Sequence, residues 1–265
     1  MSATIAVAPH ARAITLEELV ATAPLLTRTD RKYLIPTSRL DLVDHADPDL
    51  RVLTIGGLTT HAYSSTYLDT ADLTAYRLAA HARASRFKIR NRSYLDSGLT
   101  FLEVKTRSAR GETVKDRLDL SLASRAEHQR FAPTTVRMRT GHEIGPLAPV
   151  LEVTYDRTTY YLPASGSRVT VDTALGWRDL TTGRALTLPD HAVVETKTTG
   201  RPCELDRLLW REHLRPTRLS KYTCGIALTS SLHDGEPLTH NRWHRVVRDL
   251  QGLATAGTFH PTTTS

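Results

Sequence analysis

Apolar and polar residues alternate with a period of two over residues 84–94, 99–107, 112–120, 149–161, 167–173 and 191–198. That period is the mark of strands with one face on a core. Asp96-Ser97-Gly98, Ala109-Arg110-Gly111 and Ser165-Gly166 supply turn residues between these stretches. AYSSTYLDT (62–70) reads as a further strand and ADLTAYRLAA (71–80) as one or two helical turns, with Asp69 and Thr70 placed to cap them. Helical spacing returns at both ends of the chain. Thr15 followed by Glu18 is a capping-box pattern opening LEELVATAPLL, which stops at 27–31; a second helix starts at Thr37 or Ser38 and ends before Pro48. Near the C-terminus the pattern predicts helices over Glu204–His213, Ser220–Ser230, with Ser220 as N-cap, and Arg242–Leu253. The expected architecture is α+β: an antiparallel β-barrel or sheet with flanking helices.

Length and charge narrow the class. The 265 residues carry 35 Lys+Arg against 28 Asp+Glu, a net charge of +7, and the length accommodates one large β-rich domain or two small ones. Residues 15–230 are expected to form the folded domain and 231–254 a helical extension, with 1–14 and 255–265 as flexible tails. No apolar run approaches the roughly 18 residues of a membrane span; the longest uncharged stretch, Val52–Leu68, is interrupted by Gly56, Gly57 and His61. The first residues lack a cationic region and their apolar patch ends at Pro9, so no secretory signal is expected and the expected compartment is the cytoplasm. Cys203 and Cys224, with no CxxC, read as buried thiols. His240 and His244 share the i,i+4 spacing of metal ligands without a third donor nearby and read as surface histidines.

The charged side of the predicted strands is unusual. In RFKIRNR, Arg86, Lys88, Arg90 and Arg92 fall on one face, opposite Phe87 and Ile89. FLEVKTR adds Glu103, Lys105 and Arg107, the next run adds Lys115 and Arg117, and later runs add Arg168 and the Glu195–Lys197 pair. A solvated sheet face mixes both signs, because like charges opposite one another on adjacent strands repel. If these faces turn inward, a dense anion is needed to offset that repulsion, and polyphosphate has the required chemistry. Nucleic acid is not expected, since aromatic residues make up only 6% of the chain and no basic helix or arm is evident. No GxxxxGK[ST] sequence occurs, so a P-loop is excluded.

The motifs TDRKY (29–33), YLDT (67–70), RNRSY (90–94), FLEVKTR (101–107), VKDR (114–117), TYDRTTYY (154–161), RVTVDT (168–173), VVETK (193–197) and LSKY (219–222), in that order, resemble the catalytic domain of the vacuolar transporter chaperone (VTC) complex, within the triphosphate tunnel, or CYTH-like, superfamily. The resemblance spans about 15–230. It implies an antiparallel tunnel fold whose inward cations hold ATP and inorganic polyphosphate, with Mn²⁺ or Mg²⁺ on a glutamate. It matches Lys32, Arg90, Arg92, Lys105, Lys115, Arg157, Arg168 and Lys221 to phosphate-binding positions of the family; the expected catalytic set is Lys221, Arg90, Arg92 and Glu195, and the expected substrate-binding set is Lys32, Lys88, Lys105, Lys115, Arg117, Tyr155, Arg157, Arg168, Lys197 and Arg218. Glu195 is the metal ligand the resemblance implies; Glu103 is expected as a second or water-mediated ligand, since hard divalent ions take oxygen donors. Arg218 stands where fungal members tend to have lysine. TRTDRKY lacks the two glutamates of the ExExK strand that opens the wider superfamily, an absence the VTC branch shares, and this argues against a two-metal site. No membrane segment accompanies the motifs in this length, which leaves room for a separately encoded membrane partner.

The implied activity is a metal-dependent polyphosphate polymerase, moving the terminal phosphate of ATP onto a growing chain. A terminal phosphate nucleophile is already anionic, whereas water must be deprotonated, so many cations and few carboxylates favour chain extension. A tripolyphosphatase or nucleoside triphosphatase, and a polyphosphate- or nucleotide-binding module without turnover, are the competing readings. Without the resemblance, Glu103 and Glu195 would read as salt-bridge partners of Lys105 and Lys197; Tyr67 and Tyr155 read as core or barrel-wall residues.

Overall fold

The computed structural model describes residues 10–23, 29–107, 113–230, 232–233, 236–237 and 242–256. In chain order the elements begin with β1 (Arg12–Ile14), α1 (Leu16–Thr22), β2 (Thr29–Pro36), a 3₁₀ turn (Thr37–Arg39), α2 (Asp41–Asp44), β3 (Arg51–Leu53) and β4 (Thr60–Asp69). They continue with α3 (Thr74–Ala80), β5 (Lys88–Tyr94), β6 (Leu99–Arg107), β7 (Thr113–Asp119), α4 (Arg125–Thr140), β8 (Ala148–Leu162) and β9 (Ser167–Asp179). The rest are β10 (Ala185–Leu188), β11 (His191–Thr198), α5 (Glu204–Arg211), α6 (Lys221–Thr229), β12 (Leu232–His233), β13 (Glu236–Pro237), α7 (His244–Leu253) and β14 (Thr255–Ala256). The architecture is α+β, antiparallel apart from the short β1–β3 pair, with flanking helices, as the alternation predicts. No helix among the described residues is long and apolar enough to cross a membrane.

The described chain divides into two compact units. The first draws on segments 1–61, 155–175 and 188–219. Its strands neighbour one another in the order β2-β11-β9-β8-β3-β1. Tyr33, Ile35, Val169, Val171 and Val194 point from these strands into a core completed by Leu205 and Leu209 of α5. Asp206 of α5 is fully buried and ties the helix down: it accepts hydrogen bonds from Tyr33 Oη and Thr196 Oγ1, both at 2.7 Å, and pairs with Arg31 at 3.3 Å. The odd-numbered side of β2 and the even-numbered side of β11 are thereby packed, which leaves Lys32, Glu195 and Lys197 for the opposite face.

The second unit draws on segments 62–154, 176–187 and 220–265, and its strands follow the order β8-β4-β5-β6-β7. One side of β5–β6 is apolar: Phe87, Ile89, Leu102 and Val104 are buried with Ala132 and Val136 of α4. Sequence reading predicts no element over 125–140, yet α4 is the longest helix described. Its low apolar content and internal Pro133 mask the helical period. The signal was local: Ser124 Oγ accepts from the Glu127 amide at 3.3 Å while Glu127 Oε2 accepts from the Ser124 amide at 2.7 Å, a full capping box. Gly141 ends the helix with φ +75°, a conformation that favours glycine.

Other boundaries shift for identifiable reasons. The strand predicted from 84 begins at Lys88 because residues 82–86 form a turn: Ala82 has φ +57° and the Arg86 guanidinium donates to the carbonyls of Ala82 and Arg83. Arg86 therefore precedes the strand whose cationic face it was expected to share. The strand predicted over 167–173 runs on to Asp179. The Thr15–Glu18 box, the Ser220 cap and the buried, unpaired cysteines match the sequence reading. The predicted turn at 109–111, His240 and residues 24–26 of the predicted first helix lie outside the described residues.

Candidate functional site

In the second unit, strand register turns the alternation into a two-dimensional array. Lys88 of β5 lies directly opposite Lys105 of β6, which lies opposite Lys115 of β7. Two residues along, the row is Arg90, Glu103, Arg117; two further, Arg92, Phe101, Asp119. These three rows hold six cations and two carboxylates, and the first row juxtaposes three like charges, which repel unless countercharged.

Glu103 is the countercharge of the array. Although only 2% exposed, it accepts from Arg90 Nη2 at 2.6 Å through one oxygen and from Lys115 Nζ at 3.1 Å through the other. Burial by itself would raise its pKa; Arg90, Arg92 and Lys115 outweigh that and hold it down at about 2. Arg90 and Lys115 are thus among its partners. Arg90 also donates to Tyr67 Oη at 3.3 Å. The Tyr67 ring stacks on Tyr222, with centroids 4.8 Å apart, and the Tyr222 hydroxyl donates to buried Asp69. Asp69 accepts in addition from the amides of Thr70, Ala75 and Tyr76, so it caps α3 as expected while also fixing Tyr222. These links between distant motifs are invisible to spacing along the chain.

The start of α6 meets the same face. Lys88 Nζ donates to Ser220 Oγ at 2.7 Å, and Ser220 Oγ also accepts from the Thr223 amide at 3.2 Å. Lys221 follows at the first helical position, and its carbonyl accepts from Trp177 Nε1 at 2.9 Å. The Lys88 ammonium group therefore meets the positive end of a nine-residue helix, with Lys221 at its first position. Helix α6 can lie so close because residue 225 is glycine: a Cβ there would run into Trp177 Cδ1 and would lie 2.6 Å from Leu151 Cδ2.

The first unit carries its own charged face. Lys32, Glu195 and Thr170 form one cross-strand row; Asp30, Lys197 and Arg168 form the next. One Glu195 oxygen accepts from Lys32 and the other from Lys197 Nζ, the latter at 2.6 Å. Burial pushes the Glu195 pKa up, but the two ammonium groups more than reverse this and hold it well below the ordinary carboxylate range. Lys197 also donates to Thr170 Oγ1 at 3.4 Å. Arg157 forms a two-point pair with Asp172, at 2.6 and 2.8 Å, and lies over the Tyr155 ring. Burial lowers the Arg157 pKa, and Asp172 carries it back well above the usual value, so the guanidinium stays charged. Tyr155 is only 2% exposed and meets the site through Arg157. Arg168 donates to the carbonyls of Leu19 and Ala23 at 3.1 and 3.2 Å, at the end of α1. Arg218 is exposed, in the stretch before α6.

No three His, Cys, Asp or Glu side chains gather as a metal-binding group among the described residues. Glu103 and Glu195 each have both oxygens on cations. Such lone carboxylates do not suit an all-protein cage. They fit a hard divalent ion that takes most of its ligands from substrate phosphate and water, the habit of Mg²⁺.

Comparison with known proteins extends the picture. No curated protein matches the chain. Among solved structures, a Hippeastrum protein provisionally named an adenylyl cyclase, and described as having a dominant triphosphatase activity, is 16% identical, with a TM-score of 0.48 over 80% of this chain and 100% of that one. A Vibrio parahaemolyticus protein provisionally named an adenylate cyclase is 13% identical, with a TM-score of 0.42 over 73% and 94%. A conserved Pyrococcus furiosus protein is 11% identical, with a TM-score of 0.41 over 74% and 99%. The VTC domain model matches residues 27–230, from just before the Lys32 strand to the end of the Lys221 helix. With that span covering most of the chain and both charged faces, the protein belongs to the VTC domain family.

Proposed function

We propose that the protein transfers the terminal phosphoryl group of ATP to a polyphosphate chain. The observation that carries this reading is the cross-strand lysine row Lys88–Lys105–Lys115 beside Arg90 and Arg117. Phosphoryl transfer is governed by positioning and by neutralising charge on non-bridging oxygens. Arg90 and Arg92 supply planar, two-point grips, and the lysines supply mobile point charges. Lys221 reaches the same anion from the start of α6. In the first unit, Arg157, held by Asp172, and Lys32 and Lys197, held by Glu195, are preorganised to accept phosphate oxygens with little further ordering.

The state of the carboxylates favours chain extension over hydrolysis. Activating water calls for a base whose pKa lies near the working pH. Glu103 sits at about 2 and Glu195 well below the ordinary range. Asp172 already uses both oxygens on Arg157. None suits proton abstraction at neutral pH, and a phosphate nucleophile needs none. When bound, Mn²⁺ or Mg²⁺ would neutralise charge on the phosphate oxygens, held through Glu195 once substrate draws Lys32 or Lys197 onto phosphate.

The test is incubation of the protein with ATP and Mn²⁺ or Mg²⁺, resolving products on gels and by phosphorus NMR. A polyphosphate ladder with ADP supports the proposal. Free phosphate without a ladder makes the protein a hydrolase, and unchanged ATP that still raises the melting temperature makes it a binding module.

A further inference from the structure

The cationic array of the second unit has a direction. Along β5 it passes from Lys88 through Arg90 and Arg92 to Tyr94, six residues or about 20 Å of strand. At the Tyr94 end the chemistry changes from ammonium groups to rings. Tyr94 lies opposite Tyr63 on β4 and Leu99 on β6, and Phe101 lies opposite Arg92. The Tyr94 ring contacts both others, Tyr63 at 5.0 Å and Phe101 at 5.8 Å between centroids, the latter edge to face. Two guanidiniums cap them: Arg92 lies 5.2 Å over Tyr63, and Arg117 lies 4.9 Å over Phe101. The rings are half-buried and Leu99 is 44% exposed, so the cluster is not sealed into a core.

Aromatic rings and guanidinium planes are surfaces on which nucleobases stack, and stacking does not depend on which base is presented. We infer that the Tyr63–Tyr94–Phe101 cluster is the subsite for the base of a nucleoside triphosphate whose phosphates lie along the Arg92, Arg90 and Lys88 rows, with Arg92 and Arg117 at the junction of base and phosphates. This rests on the reading of those rows as a phosphate site. It adds the polarity of the bound nucleotide, base at the Tyr94 end of β5 and terminal phosphate toward Lys88 and Lys221. It also assigns the protein a means of distinguishing a nucleotide from a bare polyphosphate. Because the contacts are stacking contacts, adenine and guanine nucleotides should be held similarly.

Calorimetric titration of the full chain with ATP and with inorganic tripolyphosphate separates base from phosphate. Tyr94→Ala and Phe101→Ala should weaken ATP by about 5- to 150-fold, the range for loss of one base–aromatic stack, and leave tripolyphosphate unchanged. Phe101→Leu keeps apolar volume without the ring, and should show the same selective loss if the alanine variant does not fold. An equal loss for both ligands, or unchanged ATP binding in folded variants, overturns the inference while leaving the phosphate site intact. Wild-type protein that binds neither ligand overturns the phosphate reading and the inference with it.

Discussion

Replacing Glu103 by glutamine removes the negative charge from the Arg90–Glu103–Lys115 cluster with little change of shape. The cost can be worked from the proton equilibrium. Glu103 falls from an ordinary 4.5 to about 2 in the folded protein. At about 1.4 kcal/mol per tenfold change in proton affinity, this corresponds to about 3 kcal/mol. Arg90 and Lys115 are 20% and 44% exposed, so water screens part of it and about 2 kcal/mol is the working figure. The folded pKa is depressed, so the stability is present in full above 4.5 and is lost as pH falls through about 2. Urea unfolding of wild type and Glu103→Gln at pH 7, 5, 4 and 3 measures this. At pH 7 the variant should be about 2 kcal/mol less stable, and about half of that gap should close by pH 3, where the unfolded wild-type chain takes up a proton that the folded carboxylate does not. A gap unchanged from pH 7 to 3 would refute the electrostatic account and leave a packing effect. Tripolyphosphate gives a second check: the variant face gains one net positive charge, so its stabilisation by this anion should exceed that of wild type.

Glu195→Gln leaves Lys32 and Lys197 without their shared countercharge; a loss of about 3 kcal/mol in chemical denaturation is expected, together with loss of metal-dependent ADP release. Gly225→Ala places a methyl against Trp177 and Leu151, so despite alanine's better helix propensity it should destabilise by about 1–3 kcal/mol and alter tryptophan fluorescence as the indole moves from the Lys221 carbonyl. Lys105→Gln removes one charge from the Lys88–Lys105–Lys115 row, so calorimetry should show weaker tripolyphosphate binding. Raising salt should weaken tripolyphosphate binding in wild type more than in Lys105→Gln, because fewer charge contacts are screened in the variant.

Local physics made much of this protein legible from the chain. Period-two alternation marks β5, β6, β8 and β11, since a strand with one side on a core must place every second residue in it. Thr15 and Ser220 announce their helices, because orphan amides at a helix start need an acceptor nearby in sequence. The cationic character of one face was also legible, and the ordered motifs pointed to the family that the domain match shows. Pairing across strands was not. That Glu103 answers to Arg90 and Lys115, with Lys105 aligned between two other lysines, depends on register, and a strand's alternation is the same for any even shift against its neighbour. The Asp69–Tyr222–Tyr67–Arg90 chain and the Lys88–Ser220 contact join segments from 23 to more than 150 residues apart, and only tertiary packing brings such groups within hydrogen-bonding range. The sequence by itself determined which residues carry charge and which side of each strand they occupy. The tertiary structure decided which charges meet, and hence which carboxylates stay ionised, because electrostatic energy depends on separation in space and on the water excluded around each pair.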